Sequence, residues 1–367
     1  MEKRSLLQLI KPYFTVFDGS LSLIIFLILG AGTLTIYSAG IDFPGRVEDH
    51  LRNVLVAFVV LWFAALVPPQ TLMRFALPIY TIGVALLIAV AMFGLVKKGA
   101  RRWLHLGIVI QPSEIMKIAM PLMLSWFFQK REGSITWRDF LLAALLLLAP
   151  VALIARQPDL GTSLLVAAAG FYVIFFAGLP WKVLVGLGVT FLASLPMAWH
   201  FLHDYQRARV MTLIDPTTDP LGKGFHIIQS TIAIGAGGIT GKGWLQGTQS
   251  HLEFIPERTT DFIFAVYSEE FGLIGNVSLL VLYILLIGRG LLIAANAPTL
   301  FSRLLAGAIT LIFFTYAFVN MGMVSGILPV VGVPLPFMSY GGTALVTLGL
   351  GAGILMSIHR HRKLVQT

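Results

Sequence analysis

The stretch EFIPERTTDFIFAVYSEEFGLIG, residues 253–275, joins the longest polar loop of the chain to a long apolar segment. It contains five of the 17 acidic residues of the protein: Glu253, Glu257, Asp261, Glu269 and Glu270. Asp261 lies where the loop enters the predicted helix, and Glu269 lies about two turns further in. Because an ionisable side chain inside a membrane is costly and is usually retained for a function, this stretch predicts a functional site.

The composition is that of a polytopic membrane protein. Of the 367 residues, 57% are hydrophobic and only 12% are charged, whereas about 25% of a soluble domain is charged. There is no cysteine, which excludes disulfides and thiolate chemistry. The net charge of +9 is spread over short loops, so it does not indicate a nucleic-acid-binding protein. The first apolar run has no small-residue cleavage site, so we expect a retained span, not a removed signal peptide.

Ten segments are long and apolar enough to be candidate membrane-spanning helices. They cover residues 19–40, 52–68, 75–96, 112–128, 138–155, 160–178, 181–201, 261–288, 302–325 and 341–358. The sequence therefore predicts an all-α integral membrane protein that forms a single polytopic domain over residues 1–367. A large loop, 202–260, separates the seventh span from the eighth.

The distribution of basic residues predicts the orientation of these spans. An even number of spans places both termini on one side, and 13 of the 26 Lys and Arg residues fall there, against seven in the short loops opposite. Because short cytoplasmic loops carry the excess of positive charge, both termini are predicted to be cytoplasmic and the 202–260 loop extracytoplasmic. The cluster Lys97, Lys98, Arg101 and Arg102 lies on the outer side and departs from this rule.

Asp261 has two interpretations. It could be the N-cap of the following helix, a common role for Asp, or a general base at the membrane surface. The second is favoured by Arg207, Arg209 and Arg258 in the same loop, since cations beside a carboxylate suit an anionic substrate such as a phosphate. At about 100° per residue, Glu269 lies about 80° around the helix from Asp261, which makes it a candidate for the same cavity.

Two further sites combine a structural with a functional interpretation. Glu114 and Lys117 are three residues apart on one helix face, so they could form an intramembrane ion pair, or Lys117 could face the cavity and pair with Glu269 or a substrate phosphate. Asp159, in RQPDLGTS, could cap the sixth span or join Asp261 at the outer face.

The uncharged run PVVGVPLPFMSYGGTALV, residues 329–346, contains three prolines that break a helix. It could be an irregular segment that lines a cavity, or a plain turn in which Ser339 caps the last span. No Walker A, HExxH or GxSxG motif is present, and no spacing of ligands defines a metal site.

Five segments together resemble the SEDS family (shape, elongation, division, sporulation), and they are closer to its rod-shape member than to its division member. They are QPSEIMKI (111–118), RQPDLGTSLL (156–165), DPLGKGFHIIQSTIAIGAGGITGKGWLQGTQ (219–249), PERTTDFIFAVYSEEFG (256–272) and PLPFMSYGGTALV (334–346). The resemblance covers all ten predicted spans. It implies a peptidoglycan glycosyltransferase that polymerises lipid II on the outer face of the cytoplasmic membrane, with a class B penicillin-binding protein as its partner.

The resemblance also implies roles for particular residues. The essential aspartate of the family falls on Asp261, its Glu–Lys motif on Glu114 and Lys117, its QPDxG aspartate on Asp159 and its SYGG serine on Ser339. Thr260 stands where many members have His, which favours Asp261 as the base. A divalent cation, Mg²⁺ or Mn²⁺, is implied by the family alone.

From these residues we expect an inverting mechanism in which Asp261 deprotonates the acceptor hydroxyl; Glu257 and Asp159 are the alternative bases. The candidate cations for the pyrophosphate are Arg207, Arg209, Arg258, Arg102 and Lys117. Two rival functions remain open at this point: a transporter that flips lipid II, and a scaffold that binds and regulates the transpeptidase.

Overall fold

The computed structural model describes residues 16–97, 100–105, 109–157, 159–201, 204–218, 223–251, 255 and 257–363. This part of the chain is mostly helical. The helices are α1 (Gly19–Ala39), α2 (Arg46–Leu66), α3 (Pro69–Phe93), α4 (Pro112–Gln129), α5 (Trp137–Ala155), α6 (Leu160–Phe176), α7 (Trp181–Phe201), α8 (Asp204–Ile214), α9 (Lys223–Ala236), α10 (Thr248–His251), α11 (Ile263–Ala295), α12 (Leu300–Val324) and α13 (Gly342–Arg360).

Each of the ten predicted spans is occupied by a helix, and seven of those helices are long and apolar enough to cross a membrane: α1, α2, α3, α5, α11, α12 and α13. Helix α4 contains Glu114 and Lys117, α6 has 17 residues, and the apolar part of α7 is short. The prediction of a mostly helical membrane protein is therefore confirmed. The prediction of ten spans remains a prediction for these three helices.

Two loops contain more regular structure than the sequence indicated. Between α3 and α4 the chain forms three short antiparallel strands, β1 (Leu95–Lys97), β2 (Ala100–His105) and β3 (Val109–Ile110). Between α7 and α11 lie the helices α8, α9 and α10 and a short 3₁₀ turn. The fold is therefore not purely α-helical, and the described part of the polar 202–260 region contains short helices.

Helix α11 is broken at Gly272, where φ is 62° and ψ is −158°. Across the break, the Ser268 hydroxyl lies 2.9 Å from Asn276 Oδ1, and the Tyr267 hydroxyl donates to the Gly275 carbonyl over 3.1 Å. Residues eight apart in an unbroken helix are separated by about 12 Å along the axis. The two halves therefore bend sharply, and the predicted eighth span, 261–288, lies on a broken helix in which a buried half-helix precedes the longer apolar half.

The core is organised around α12. In the apolar stretch of this helix, 78% of the residues are buried. Helices α2 and α13 pack through glycines: a Cβ at Gly349 would lie 2.6 Å from the Ala57 carbonyl, and one at Gly353 would lie 2.4 Å from the Leu61 carbonyl. Only residues without a Cβ permit this backbone approach, as is common between membrane helices.

Both ends of the described chain lie at the same end of the bundle. Asp18, the N-cap of α1, accepts hydrogen bonds from the Arg289 guanidinium and lies 3.2 Å from His359 Nε2. Burial raises the Asp18 pKa, but the Arg289 hydrogen bond, the Leu21 amide and the nearby cations together lower it below its ordinary value of 3.8. This shared end is consistent with an even number of crossings between α1 and α13.

Candidate active site

The site forms at the opposite end of the bundle, where the proline-rich segment before α13 packs against the turn before α11. The Ser339 hydroxyl donates to the Thr260 carbonyl over 2.7 Å, and the Tyr340 amide donates to the Thr259 carbonyl over 2.9 Å. The 329–341 segment is non-helical backbone, and its residues 335–339 are buried. The prediction of an irregular segment lining the site is therefore supported, and the alternative of a plain turn with a Ser cap is wrong.

Asp261 is fixed through its backbone. Asn320 of α12 donates its amide to the Asp261 carbonyl over 2.8 Å and to the Val333 carbonyl over 2.7 Å. The N-cap of α11 is Phe262, so Asp261 lies one residue before the cap position and the N-cap interpretation is wrong. The half-buried Asp261 carboxylate faces Gly332, which has a φ of 74°; a Cβ there would lie 3.3 Å from Asp261 Oδ2.

Asp159 is the N-cap of α6, as one of its two interpretations predicted, and its place in the functional site stays a prediction. Its carboxylate accepts the Thr162 amide over 3.3 Å as the N-cap of α6. It also accepts the Gln111 side-chain amide over 3.2 Å and lies 3.8 Å from Arg102 Nε. A Cβ at Gly161 would lie 2.9 Å from the Val331 carbonyl, so the start of α6 touches the same segment that borders Asp261.

Glu114 and Lys117 form an ion pair with a separation of 2.6 Å, and Lys117 also donates to the Tyr316 hydroxyl over 2.6 Å. Lys117 is buried, whereas Glu114 Oε2 additionally accepts from Thr347 over 3.3 Å. The predicted ion pair is therefore present, and its position inside the membrane stays a prediction. The alternative that Lys117 pairs with Glu269 is wrong, because Glu269 is engaged elsewhere.

A cavity of about 580 Å³ opens between α2, α3, α4 and α13. Its walls are mainly apolar, with Ile115, Leu122 and Val346 among them. Its polar lining groups come from Asn53, Gln111, Glu114, Thr343 and Thr347. Gly342 also lines this cavity and follows Ser339 by three residues, so the cavity and the Asp261 turn are connected through the segment before α13.

Arg258 is buried and is paired with Asp42 of the α1–α2 loop, and its guanidinium lies 5.2 Å from the centre of the Phe43 ring. A carboxylate next to a guanidinium compensates its charge. Arg258 is thus positioned beside Asp261 in sequence, but its charge is already partly neutralised by the protein.

Glu269 does not share the Asp261 cavity, contrary to the prediction from helical geometry. Its fully buried carboxylate accepts from Lys242 Nζ over 2.7 Å, from the Thr248 hydroxyl over 3.1 Å and from the Gln249 amide over 3.0 Å. The break at Gly272 brings the 237–249 segment against this half-helix, so Glu269 anchors a loop. Helical spacing could not indicate this position, because the partners of Glu269 come from a loop distant in sequence.

The remaining residues that the sequence predicted for the site are Arg207, Arg209 and Glu257. Arg207 donates to the Trp199 and His200 carbonyls over 3.0 and 2.9 Å and so caps α7. The side chain of Arg209 lies outside the described residues. Glu257 is exposed with a φ of 49°, and its carboxylate accepts from the Thr260 hydroxyl over 3.1 Å. Their predicted roles as substrate ligands or alternative base stay predictions.

A divalent cation has no protein-built site in the part of the chain that the structure describes. There, no group of three or more His, Asp or Glu side chains gathers in a metal-binding arrangement. Asp159 and Glu114 already accept protein hydrogen bonds. A site completed by substrate phosphate oxygens needs fewer protein ligands, so the divalent cation implied by the family stays a prediction.

Sequence reasoning missed the contribution of the α1–α2 loop and of α2. Arg46 lies against Tyr340 of the segment before α13, Phe43 contacts Arg46 and Arg258, and Asn53 lines the cavity. A signal was present, because Arg46, His50 and Asn53 are spaced as i, i+4 and i+7, which places three polar residues on one face of an apolar helix.

The chain matches the family model FTSW_RODA_SPOVE, described as cell cycle protein, over residues 20–364. The peptidoglycan glycosyltransferase MrdB of Escherichia coli K12 is 53% identical over 351 residues, which cover 95% of each chain. The peptidoglycan glycosyltransferase RodA of Treponema pallidum is 30% identical and covers 94% of this chain and 97% of its own.

Solved structures share the fold. A chain of a peptidoglycan synthase complex that coordinates polymerization and crosslinking superimposes with a TM-score of 0.82 at 35% identity, covering 95% of this chain and 98% of that chain. The rod shape determining protein RodA of Thermus thermophilus superimposes with a TM-score of 0.72 at 29% identity, with the same coverage.

Proposed function

This chain belongs to the FTSW_RODA_SPOVE family of cell cycle proteins, the SEDS family, and on that premise we propose that it is a peptidoglycan glycosyltransferase. It polymerises lipid II into β-1,4-linked glycan strands for cell elongation and rod shape. The observation that carries this proposal is the position of Asp261, held by Asn320 and the Ser339 segment at the end of the bundle where a large apolar cavity opens.

The cavity suits the polyprenyl chain of a lipid-linked substrate. Its walls are apolar, and its polar groups include Gln111, which donates to Asp159, and Glu114, which pairs with Lys117. A lipid tail would occupy the apolar part and the diphosphate would lie among the polar groups. This division of apolar walls and few polar groups is typical of small-molecule sites.

The reaction follows from the position of the carboxylate. Asp261 accepts the proton of the 4-hydroxyl of the acceptor N-acetylglucosamine as that oxygen attacks the anomeric carbon of the donor N-acetylmuramic acid. The new bond joins the oxygen to that carbon, and the bond to the diphosphate breaks with its electron pair on the leaving group. Attack from the opposite face converts the α-linked donor into a β bond. General base catalysis contributes about 10²–10⁴-fold.

The arrangement of the helices supports a site on the extracytoplasmic face of the membrane. Asp18, Arg289 and His359 mark one end of the bundle, and Asp261 lies at the other. With ten crossings, in which α4, α6 and α7 join the seven long apolar helices, the excess of basic residues places both termini in the cytoplasm. The site then faces outward from the bacterial inner membrane, where lipid II is polymerised.

We also propose a class B penicillin-binding protein, a transpeptidase, as the partner. The solved relative with the TM-score of 0.82 is a chain of a complex that coordinates polymerization and crosslinking. Crosslinking acts on strands that polymerisation produces, so a transpeptidase next to this site would receive its substrate directly.

The experiment is polymerisation of purified lipid II by the full-length chain in detergent, with and without the transpeptidase, for wild type and Asp261→Asn. We expect glycan strands from wild type and a rate about 10²–10⁴-fold lower from Asp261→Asn. Ser278→Ala is the matched control, because Ser278 is exposed on α11 and its hydroxyl bonds only within its own helix.

Two results would contradict this assignment. If folded Asp261→Asn produced strands at the normal rate, the proposed glycosyltransferase function would stand, but Asp261 would not be its base. No strands from wild type with its partner present would remove the polymerase function, and flipping of labelled lipid II by the protein in vesicles would then favour the transporter.

A further inference from the structure

The cations predicted to bind the diphosphate are mostly compensated by the protein itself. Lys117 pairs with Glu114, Arg258 with Asp42 and Arg102 lies 3.8 Å from Asp159. A cation that already faces a carboxylate contributes little net potential to an incoming anion. A diphosphate leaving group needs positive charge that the protein has not already neutralised.

Arg46, at the start of α2, carries positive charge that no carboxylate of the described residues neutralises. Its guanidinium lies 4.5 Å from the centre of the Tyr340 ring and 4.9 Å from that of Phe43. Within the described residues no carboxylate pairs with it and no acceptor takes a hydrogen bond from it. Asp49, one turn along the helix, pairs with Arg52 over 3.1 Å instead.

The Phe43 and Tyr340 rings contact the Arg46 guanidinium without using its N–H donors. Contacts with aromatic rings orient the plane of an arginine through its face, and its five N–H donors point outward around that plane. The side chain is half-buried, so it is partly desolvated yet reachable. A planar fork of this kind matches two phosphate oxygens at once.

The position is adjacent to the proposed reaction centre. The Tyr340 amide donates to the Thr259 carbonyl, two residues before Asp261. One turn after Arg46, His50 is fully buried, and neither of its ring nitrogens has a hydrogen-bond partner in the described part of the chain. Asn53, on the same face, lines the large cavity. The polar face of α2 therefore leads from the Tyr340 ring to the cavity.

Resting on the proposed function, we infer that Arg46 binds the diphosphate of the lipid-linked donor and stabilises it as it leaves, with His50 and Asn53 completing the polar face on α2. Lys117, behind Glu114, then orients that carboxylate at the cavity mouth, and the charge facing the leaving group comes from Arg46. The ligand class is a polyprenyl diphosphate.

The experiment measures equilibrium binding of labelled undecaprenyl diphosphate and of undecaprenol to the detergent-purified full chain. The variants are Arg46→Gln, Arg46→Lys and, as the matched control, Arg52→Gln on the same helix, whose side chain is 72% exposed. We expect Arg46→Gln to weaken diphosphate binding about 10- to 100-fold, the value of charge-assisted hydrogen bonds. Undecaprenol binding should not change, and Arg46→Lys should fall between Arg46→Gln and wild type.

Equal weakening of both ligands by Arg46→Gln, with a lowered melting temperature, would mean that Arg46 only holds Phe43 and Tyr340 together, and would overturn the inference. Unchanged diphosphate binding by a folded Arg46→Gln would overturn it as well. Failure of wild type to polymerise lipid II would contradict the proposed function, while the binding comparison would still decide the role of Arg46.

Discussion

The Ser339 hydroxyl lies 2.7 Å from the carbonyl oxygen of Thr260, the residue immediately before Asp261, and the same hydroxyl accepts the Leu335 amide over 2.7 Å. One side chain thus joins the proline-rich segment to the turn that carries the proposed base. Since Ser339 is buried, water cannot replace either bond readily.

Ser339→Ala should therefore lower both stability and activity. It leaves the buried Leu335 amide without its partner, at a cost of about 1–3 kcal/mol, and it releases the turn before Asp261. We expect a lower melting temperature and a lower kcat for lipid II polymerisation with a nearly unchanged KM. Ser278→Ala serves as the control, and an unchanged kcat in Ser339→Ala would show that the Asn320 bonds alone position Asp261.

The ion pair of Glu114 and Lys117 can be separated into structural and chemical roles by a double-mutant cycle. Because Lys117 is buried, removing either partner leaves a poorly solvated charge and should cost about 3–5 kcal/mol. The double variant Glu114→Gln/Lys117→Met should recover much of that stability, measured as thermal unfolding in detergent. Its polymerisation rate should remain low, because Glu114 lines the cavity. Recovery of both properties would assign the pair to structure alone.

The contact of the 237–249 segment with the break in α11 depends on glycine. Gly241 has a φ of 81°, and a Cβ there would lie 2.1 Å from the Glu270 carbonyl. Gly238 has a similar φ of 55° but open space around it. Gly238→Ala should cost about 1–2 kcal/mol of backbone strain, whereas Gly241→Ala should destabilise the protein much more. Equal melting temperatures for the two variants would contradict this packing.

The stabilisation from Asp18 should depend on pH in one direction. Because hydrogen bonds and cations lower its pKa in the folded protein below 3.8, the stabilisation is complete above that value and is lost as pH falls through the lower folded pKa. We expect Asp18→Asn to melt below wild type at neutral and mildly acidic pH, and the margin to shrink as pH falls through the lowered folded pKa of Asp18. A margin that did not shrink in acid would mean that Asp18 acts without its charge.

The positions of the membrane helices follow from the sequence, because a run of apolar residues must be helical to satisfy its backbone in lipid. The roles of Asp159 and of the Glu114–Lys117 pair could also be predicted, since an N-cap and an i, i+3 pair are local relationships. The resemblance of five segments to one family supplied the function, which composition and spacing alone could not.

Only the tertiary structure decided the environment of Asp261 and the place of Glu269. Ser339 and Thr260 are 79 residues apart, and Lys242 and Glu269 are 27 apart, so no periodicity indicates either contact. The same holds for Arg46, whose ring partner Tyr340 is far along the chain. Local pattern fixes which residues are helical, but the net charge offered to a substrate depends on which carboxylates the fold brings to each cation.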